Sequence, residues 1–215
     1  QQMKTTMALA SLACAISLGT AVSAQDVRIS TFKTYSTFTL NGQTFTVTRD
    51  QDPNARLAGD FTRTSRACPP HCLQPMIVAA GVVTLGELEV MKFLENDVTG
   101  STGLLLDTRS PADFALGSIP GSVNVPGETL APDNRFRDDI LRALGAVSRA
   151  DDTLDFSGAM SLALYSGGNW SDAAPTAVEQ LLAAGYPAEK LFYYRGGMQA
   201  WSHVGLTVHQ SQNPG

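Results

Sequence analysis

The stretch Ser166-Gly167-Gly168-Asn169-Trp170-Ser171 follows the apolar run Leu162-Ala163-Leu164-Tyr165 and precedes a helical pattern. Glycines between a buried strand and a helix let several backbone N–H groups turn to one side, at the positive end of the helix dipole. That arrangement holds an anion. Two other apolar runs end in Asp107-Thr108-Arg109 and Arg195-Gly196-Gly197. Arg109 or Arg195 at the rim would complete an anion cradle. A plainer reading uses the same residues: the glycines make a tight turn, and Asp107 pairs with Arg109 to brace it. The residues alone leave both readings open. Trp170 in the loop either contacts a ligand or partner or folds back to plug the pocket.

Cys68-Pro69-Pro70-His71-Cys72 is the second group able to do chemistry. Three readings compete for it: a structural disulfide, a redox-active pair, and a metal site. The two prolines pre-bend the chain for a short disulfide, whose small loop limits its entropic benefit. A short, strained loop would make the pair redox-active. The spacing is one residue longer than Cys-x-x-Cys. Zinc needs four ligands; His71 abuts Cys72, no fourth ligand suggests itself, and no metal is expected. A serine nucleophile at Ser166 would need a base and an orienting acid. The Gly-x-Ser-x-Gly elbow is absent there, and none of His71, His203 and His209 is adjacent to the loop in sequence.

These groups are positioned by elements that the apolar pattern reveals. From Val82 onward, short apolar runs alternate with amphipathic stretches, which predicts a parallel sheet with helices on its faces. Gly103-Leu104-Leu105-Leu106, Leu162 to Tyr165 and Leu191 to Tyr194 are the buried strands. The latter places Phe192, Tyr193 and Tyr194, with Trp201 after them, in the core. Thr84 to Glu87 reads as a capping box that opens a helix with Leu85, Leu88, Met91 and Leu94 inward. Ser110-Pro111 starts a helix that Gly117 ends. Phe136, Ile140, Leu141 and Leu144 mark a third helix, closed by Gly145. Ala177, Val178, Leu181 and Leu182 mark a fourth, stopped by Gly185. Upstream, Thr37 to Leu40 and Thr44 to Val47 flank Asn41-Gly42, which predicts a hairpin with a type I′ turn. Arg49 to Arg66 reads as a surface linker.

The N-terminal residues read as a leader. Lys4 is the only charge before Asp26, Met7 to Gly19 is apolar or small, and Val22-Ser23-Ala24 offers a cleavage site. The expectation is cleavage after Ala24 and a periplasmic or secreted protein. Ser11 stands where a lipobox before Cys14 would want a leucine, so soluble export is expected over lipid anchoring. The apolar run is too short to span a membrane. Of three cysteines, Cys14 leaves with the leader, and an even, closely spaced pair in an exported chain is a disulfide candidate. Apolar residues make up 43% of the chain, enough for a core, and the net charge is −5 with no basic run. Nucleic acid is therefore not an expected partner. The segments read as leader 1–24, β-rich extension 25–66, Cys-containing linker 67–81, main domain 82–208 and tail 209–215.

Three segments in this order resemble the rhodanese homology domain. They are Leu104 to Arg109 followed by Gly117-Ser118-Ile119-Pro120-Gly121-Ser122-Val123-Asn124-Val125-Pro126; Leu162 to Tyr165 with the Ser166 loop; and Tyr194-Arg195-Gly196-Gly197-Met198-Gln199-Ala200-Trp201. The resemblance implies a rhodanese-like α/β fold, here with a small N-terminal β-hairpin extension. It also implies a site at residues 166–171 rimmed by Asp107, Arg109 and Arg195. In active members the first loop position is a cysteine that carries sulfane sulfur; here it is Ser166. A hydroxyl is far harder to ionise than a thiol and forms no persulfide. The expected role is a non-catalytic module binding a small anion or a periplasmic protein, with no cofactor. The alternative is a thiosulfate-type sulfurtransferase or thiol-disulfide enzyme using Cys68 and Cys72.

Overall fold

The structure is a computed structural model and describes residues 26–210. The proposed leader, its cleavage site, and residues 211–215 of the tail lie outside the described residues.

Five strands form the central sheet: β3 (Val83–Leu85), β4 (Gly103–Asp107), β5 (Val123–Asn124), β8 (Ser161–Tyr165) and β9 (Leu191–Tyr194). Their spatial order is β3-β9-β8-β4-β5, and every pairing is parallel. Because side chains alternate across a strand, the three central strands β4, β8 and β9 each feed two cores. Leu162 and Leu164 of β8 join one cluster with Leu106, Leu191 and Tyr193, covered by α3 (Arg137–Ala143) and α4 (Ala173–Ala183). Ala163 and Tyr165 join the opposite cluster with Leu105 and Tyr194, covered by α1 (Glu87–Phe93) and α5 (Gly197–His203). Apolar residues on both faces explain why these strands read as continuous apolar runs.

The expected hairpin forms from β1 (Ser36–Leu40) and β2 (Gln43–Val47), with Phe38 opposite Phe45. Asn41 and Gly42 take φ of 50° and 78°, as a type I′ turn requires. Two strands alone are marginal. This pair is stabilised by burying Phe38 and Val47 in the α1/α5-side cluster. Ser36 and Lys33 both bond to Glu95, and Thr39 N–H donates to Thr99 Oγ1.

Two helices differ from expectation. Thr84 does not cap α1: it lies in β3, paired with Tyr193, and its hydroxyl donates to the Met76 carbonyl. Gly86 is the N-cap, and the Glu89 carboxylate reaches back to its N–H at 3.1 Å. The shift turns Leu88 outward, 49% exposed, while Val90, Met91 and Phe93 take the buried face. Likewise Phe136 precedes α3 and is exposed, so Leu141 and Leu144 anchor that helix. By contrast, α2 (Pro111–Leu116) begins as expected, with Ser110 Oγ accepting from Asp113 N–H. A short antiparallel pair, β6 (Val147–Ser148) and β7 (Leu154–Asp155), had no clear sequence signal.

Candidate functional site

Strand β8 is the middle strand of the sheet and delivers Ser166, 2% exposed, to its carboxyl end. The loop is held by its carbonyls. Those of Ser166 and Gly167 accept from Met198 and Gln199 N–H at 3.0 and 2.9 Å, and that of Asn169 accepts from Gln74 N–H at 2.9 Å. A trans peptide sets its N–H opposite its C=O. The N–H groups of Gly167, Gly168 and Trp170 therefore face away from these partners.

Trp170 folds back over the two glycines of the loop. A Cβ added at Gly167 or at Gly168 would stand 2.8 Å from an indole atom. The indole Nε1 donates to Gln199 Oε1, which fixes the ring in this folded-back position.

The expected rim residues differ in what they do. Asp107 is fully buried and grips Arg109 twice, Nε to Oδ1 at 3.0 Å and Nη2 to Oδ2 at 2.6 Å. Nη2 also donates to the Gly117 carbonyl at 2.6 Å. Burial works against the Arg109 charge, but the bonds and charge of Asp107 outweigh it and hold its pKa up. Arg109 thus reaches the cleft wall while its charge is paired. Arg195 donates from Nε to the Gln74 carbonyl at 2.9 Å and lines neither cleft beside the loop. The geometry favours bracing roles for both arginines. Tyr165, at the end of β8, accepts from Ile119 N–H and bonds to Ser122 Oγ. Burial, then the Asp107 charge, push its hydroxyl pKa well above the usual value.

The cations over the loop come instead from residues 56–73, which cross it as a strap. Arg66 stacks on Trp170, its Cζ 3.7 Å from the ring centre, with its side chain only 5% exposed. Its Nη1 and Nη2 bond to the Asp60 carboxylate and carbonyl, at 2.9 and 2.7 Å. Arg63 bonds the same carboxylate at 3.1 Å. These arginines, Arg66 first, hold the Asp60 carboxyl below its ordinary value. His71 meets the Trp170 ring edge-on at 5.3 Å. The Cys68 and Cys72 sulfurs are at bonding distance, with Cα atoms 4.6 Å apart.

Strap and loop enclose two adjoining clefts. The larger, about 1120 Å³, has Gly167, Trp170 and Ser171 on one side and Phe61, Arg63 and Arg66 on the other. The smaller, about 760 Å³, brings Cys68, His71 and Cys72 against Asn169 and Trp170. Sequence reading missed Phe61, Arg63 and Arg66, because the strap looks like a surface linker, and read Gln199 only as part of the Gly-Gly segment, with no role at the loop. An aromatic among three arginines (Arg56, Arg63, Arg66) was the available signal. Likewise, His71 reaches the loop only through tertiary folding. Among the described residues, no cluster of three metal-ligating side chains occurs, and no helix is long and apolar enough to cross a membrane.

A parallel α/β sheet with its cleft beyond the carboxyl ends of the strands defines the class of this domain. The rhodanese-like domain model matches residues 89–203, more than half of the chain. The chain belongs to the rhodanese-like domain family. No curated protein matches it significantly. Among solved structures, the BH2092 protein of Bacillus halodurans is 14% identical, covering 60% of this chain and 77% of that one, with a TM-score of 0.42. A rhodanese-related protein of Thermoplasma volcanium is 20% identical over 59% of this chain and 97% of that one, with a TM-score of 0.40. A thiosulfate sulfurtransferase of Pseudomonas aeruginosa is 22% identical over 61% of this chain and 21% of that one, with a TM-score of 0.41. The strap lies outside the residues that the family model matches.

Proposed function

We propose that this protein is an exported rhodanese-like module that transfers no sulfur at residue 166 and binds an anion or a periplasmic protein in the cleft over its loop. The observation that carries the reading is the serine at the head of the loop, where sulfane transfer needs a thiolate. The folded-back Trp170 supports it, because the indole occupies the approach to Gly167 and Gly168. Export rests on the leader-like residues 1–24 and fits a paired Cys68 and Cys72. The test supplies the full chain with thiosulfate and cyanide and measures thiocyanate. The expected result is no turnover in the unmodified protein and a gain in Ser166→Cys. Turnover in the unmodified protein would defeat the reading.

One observation favours a second reading. Cys68 and Cys72 line the smaller cleft beside Asn169 and Trp170, so a disulfide there is within reach of a bound thiol. In that case, sulfur transfer or thiol exchange by the unmodified protein would vanish in Cys68→Ser/Cys72→Ser and persist in Ser166→Ala.

A further inference from the structure

We infer that the strap carries an oxyanion site of its own, in which Arg63, Arg66 and His71 receive a tetrahedral dianion, a phosphate or sulfate group, beside the Arg66–Trp170 stack. The inference deepens the binding role proposed above and rests on it for its biological use. The site itself stands on residues 63–72, outside the family-matched domain.

Four observations carry it. First, the smaller cleft is lined by Arg63, Arg66 and His71 and by no carboxylate, in a chain whose net charge is −5. Second, Arg66 is an expensive residue to bury, yet its side chain is 5% exposed. Its Nε is buried and, among the described residues, has no hydrogen-bond partner. That Nε has no surface open to the cleft, so it marks a guanidinium left incompletely satisfied by its own fold at the edge of the cleft. Third, the Trp170 face orients the guanidinium plane, so less ordering is left to be done on binding. Fourth, the loop's own glycines are covered by that indole, and Arg109 and Arg195 are committed elsewhere. Arg63 and Arg66 share the single Asp60 carboxylate, whereas Arg109 has Asp107 to itself, so the strap pair keeps the positive charge that the loop does not present.

Asp60 is the internal competitor. Its carboxylate bonds both arginines, is 56% exposed, and does not line the smaller cleft. A dianion brings more charge than this carboxylate and can take the donors that Asp60 leaves unused.

The test titrates the full chain with inorganic phosphate and sulfate by calorimetry at constant ionic strength, and follows tryptophan fluorescence, with Trp170→Phe identifying the part that comes from Trp170. Saturable binding is expected. Arg63→Gln and Arg66→Gln should each weaken it about tenfold or more, the loss of one charge-assisted bond. Asp60→Asn should tighten it. Arg63 is exposed, so Arg63→Gln and Asp60→Asn keep the test decisive if Arg66→Gln unfolds, which a thermal melt reveals. Phenyl phosphate binding more tightly than phosphate would assign the group to a larger molecule, and equal binding would assign it to the free ion. Absence of saturable binding, or binding unchanged by Arg63→Gln, overturns the site. Neither result touches the thiocyanate assay, which alone decides whether the loop is inactive.

Discussion

Gly197 packs so closely beneath Ser166 that a Cβ at its position would stand 2.3 Å from the Ser166 carbonyl oxygen. It also holds φ at +55°. The Gly-Gly turn after β9 is therefore the floor on which the loop rests, since the next residue, Met198, donates its N–H to the same carbonyl. Gly197→Ala combines a left-handed backbone with a backbone clash. It should cost more than about 2 kcal/mol of stability, read from urea unfolding. A change below 0.5 kcal/mol, roughly that of a surface substitution, would contradict this packing.

The Asp107–Arg109 pair should behave as a buried ion pair. Arg109→Leu leaves a fully buried carboxylate without its partner and should destabilise by about 3–5 kcal/mol. Adding Asp107→Asn to that variant removes the orphaned charge and should recover part of the loss. A double-mutant cycle with no coupling would show that the pair contributes nothing to the fold.

Alkaline pH should unfold this protein through its tyrosines. Four of five, Tyr165, Tyr186, Tyr193 and Tyr194, are buried, and burial raises each hydroxyl pKa, that of Tyr193 to about 12. For Tyr194 the adjoining Glu87 carboxylate, 2.9 Å away, adds to the effect. In the unfolded chain a tyrosine ionises near pH 10. Folded-state values above that mean that the native state keeps protons the unfolded state has lost. Stability is then full below about pH 10 and falls as pH rises towards the folded values. Tyrosinate absorbance should show these four ionising together with the loss of native circular dichroism. Their independent titration in the folded protein would contradict the burial.

Removing the Cys68–Cys72 link should matter locally. The two residues are four apart, and closing so short a loop contributes roughly 2 kcal/mol or less. Cys68→Ser/Cys72→Ser should therefore keep the cooperative unfolding of the sheet. Hydrogen exchange should quicken at Gln74, whose N–H is bonded to the Asn169 carbonyl. Global unfolding of that variant would make the link a determinant of the whole domain instead.

The sequence alone determined the three central strands of the sheet, the start of α2, the glycine stops after three helices, the hairpin and the place of the loop. Those are local or periodic properties: continuous apolar runs at Leu104–Leu106 and Leu162–Tyr165, a Ser-Pro start at 110–111, an Asn-Gly turn. Even the serine at position 166 could be weighed chemically before any coordinates. Where local reading failed, pairing had intervened. Thr84 has the residue type and spacing of a cap, but parallel pairing with Tyr193 keeps it in β3 and moves the helix start to Gly86.

Only the tertiary structure decided what stands over the loop. Arg66 and Trp170 are more than a hundred positions apart, and no periodicity links them; they meet because the hairpin docks on the sheet and leads the following segment across the strand ends. Whether a Gly-rich turn lies open or covered, and whether an arginine is spare or already paired, depends on contacts between distant segments. Such contacts are fixed by packing and leave no pattern in the local sequence.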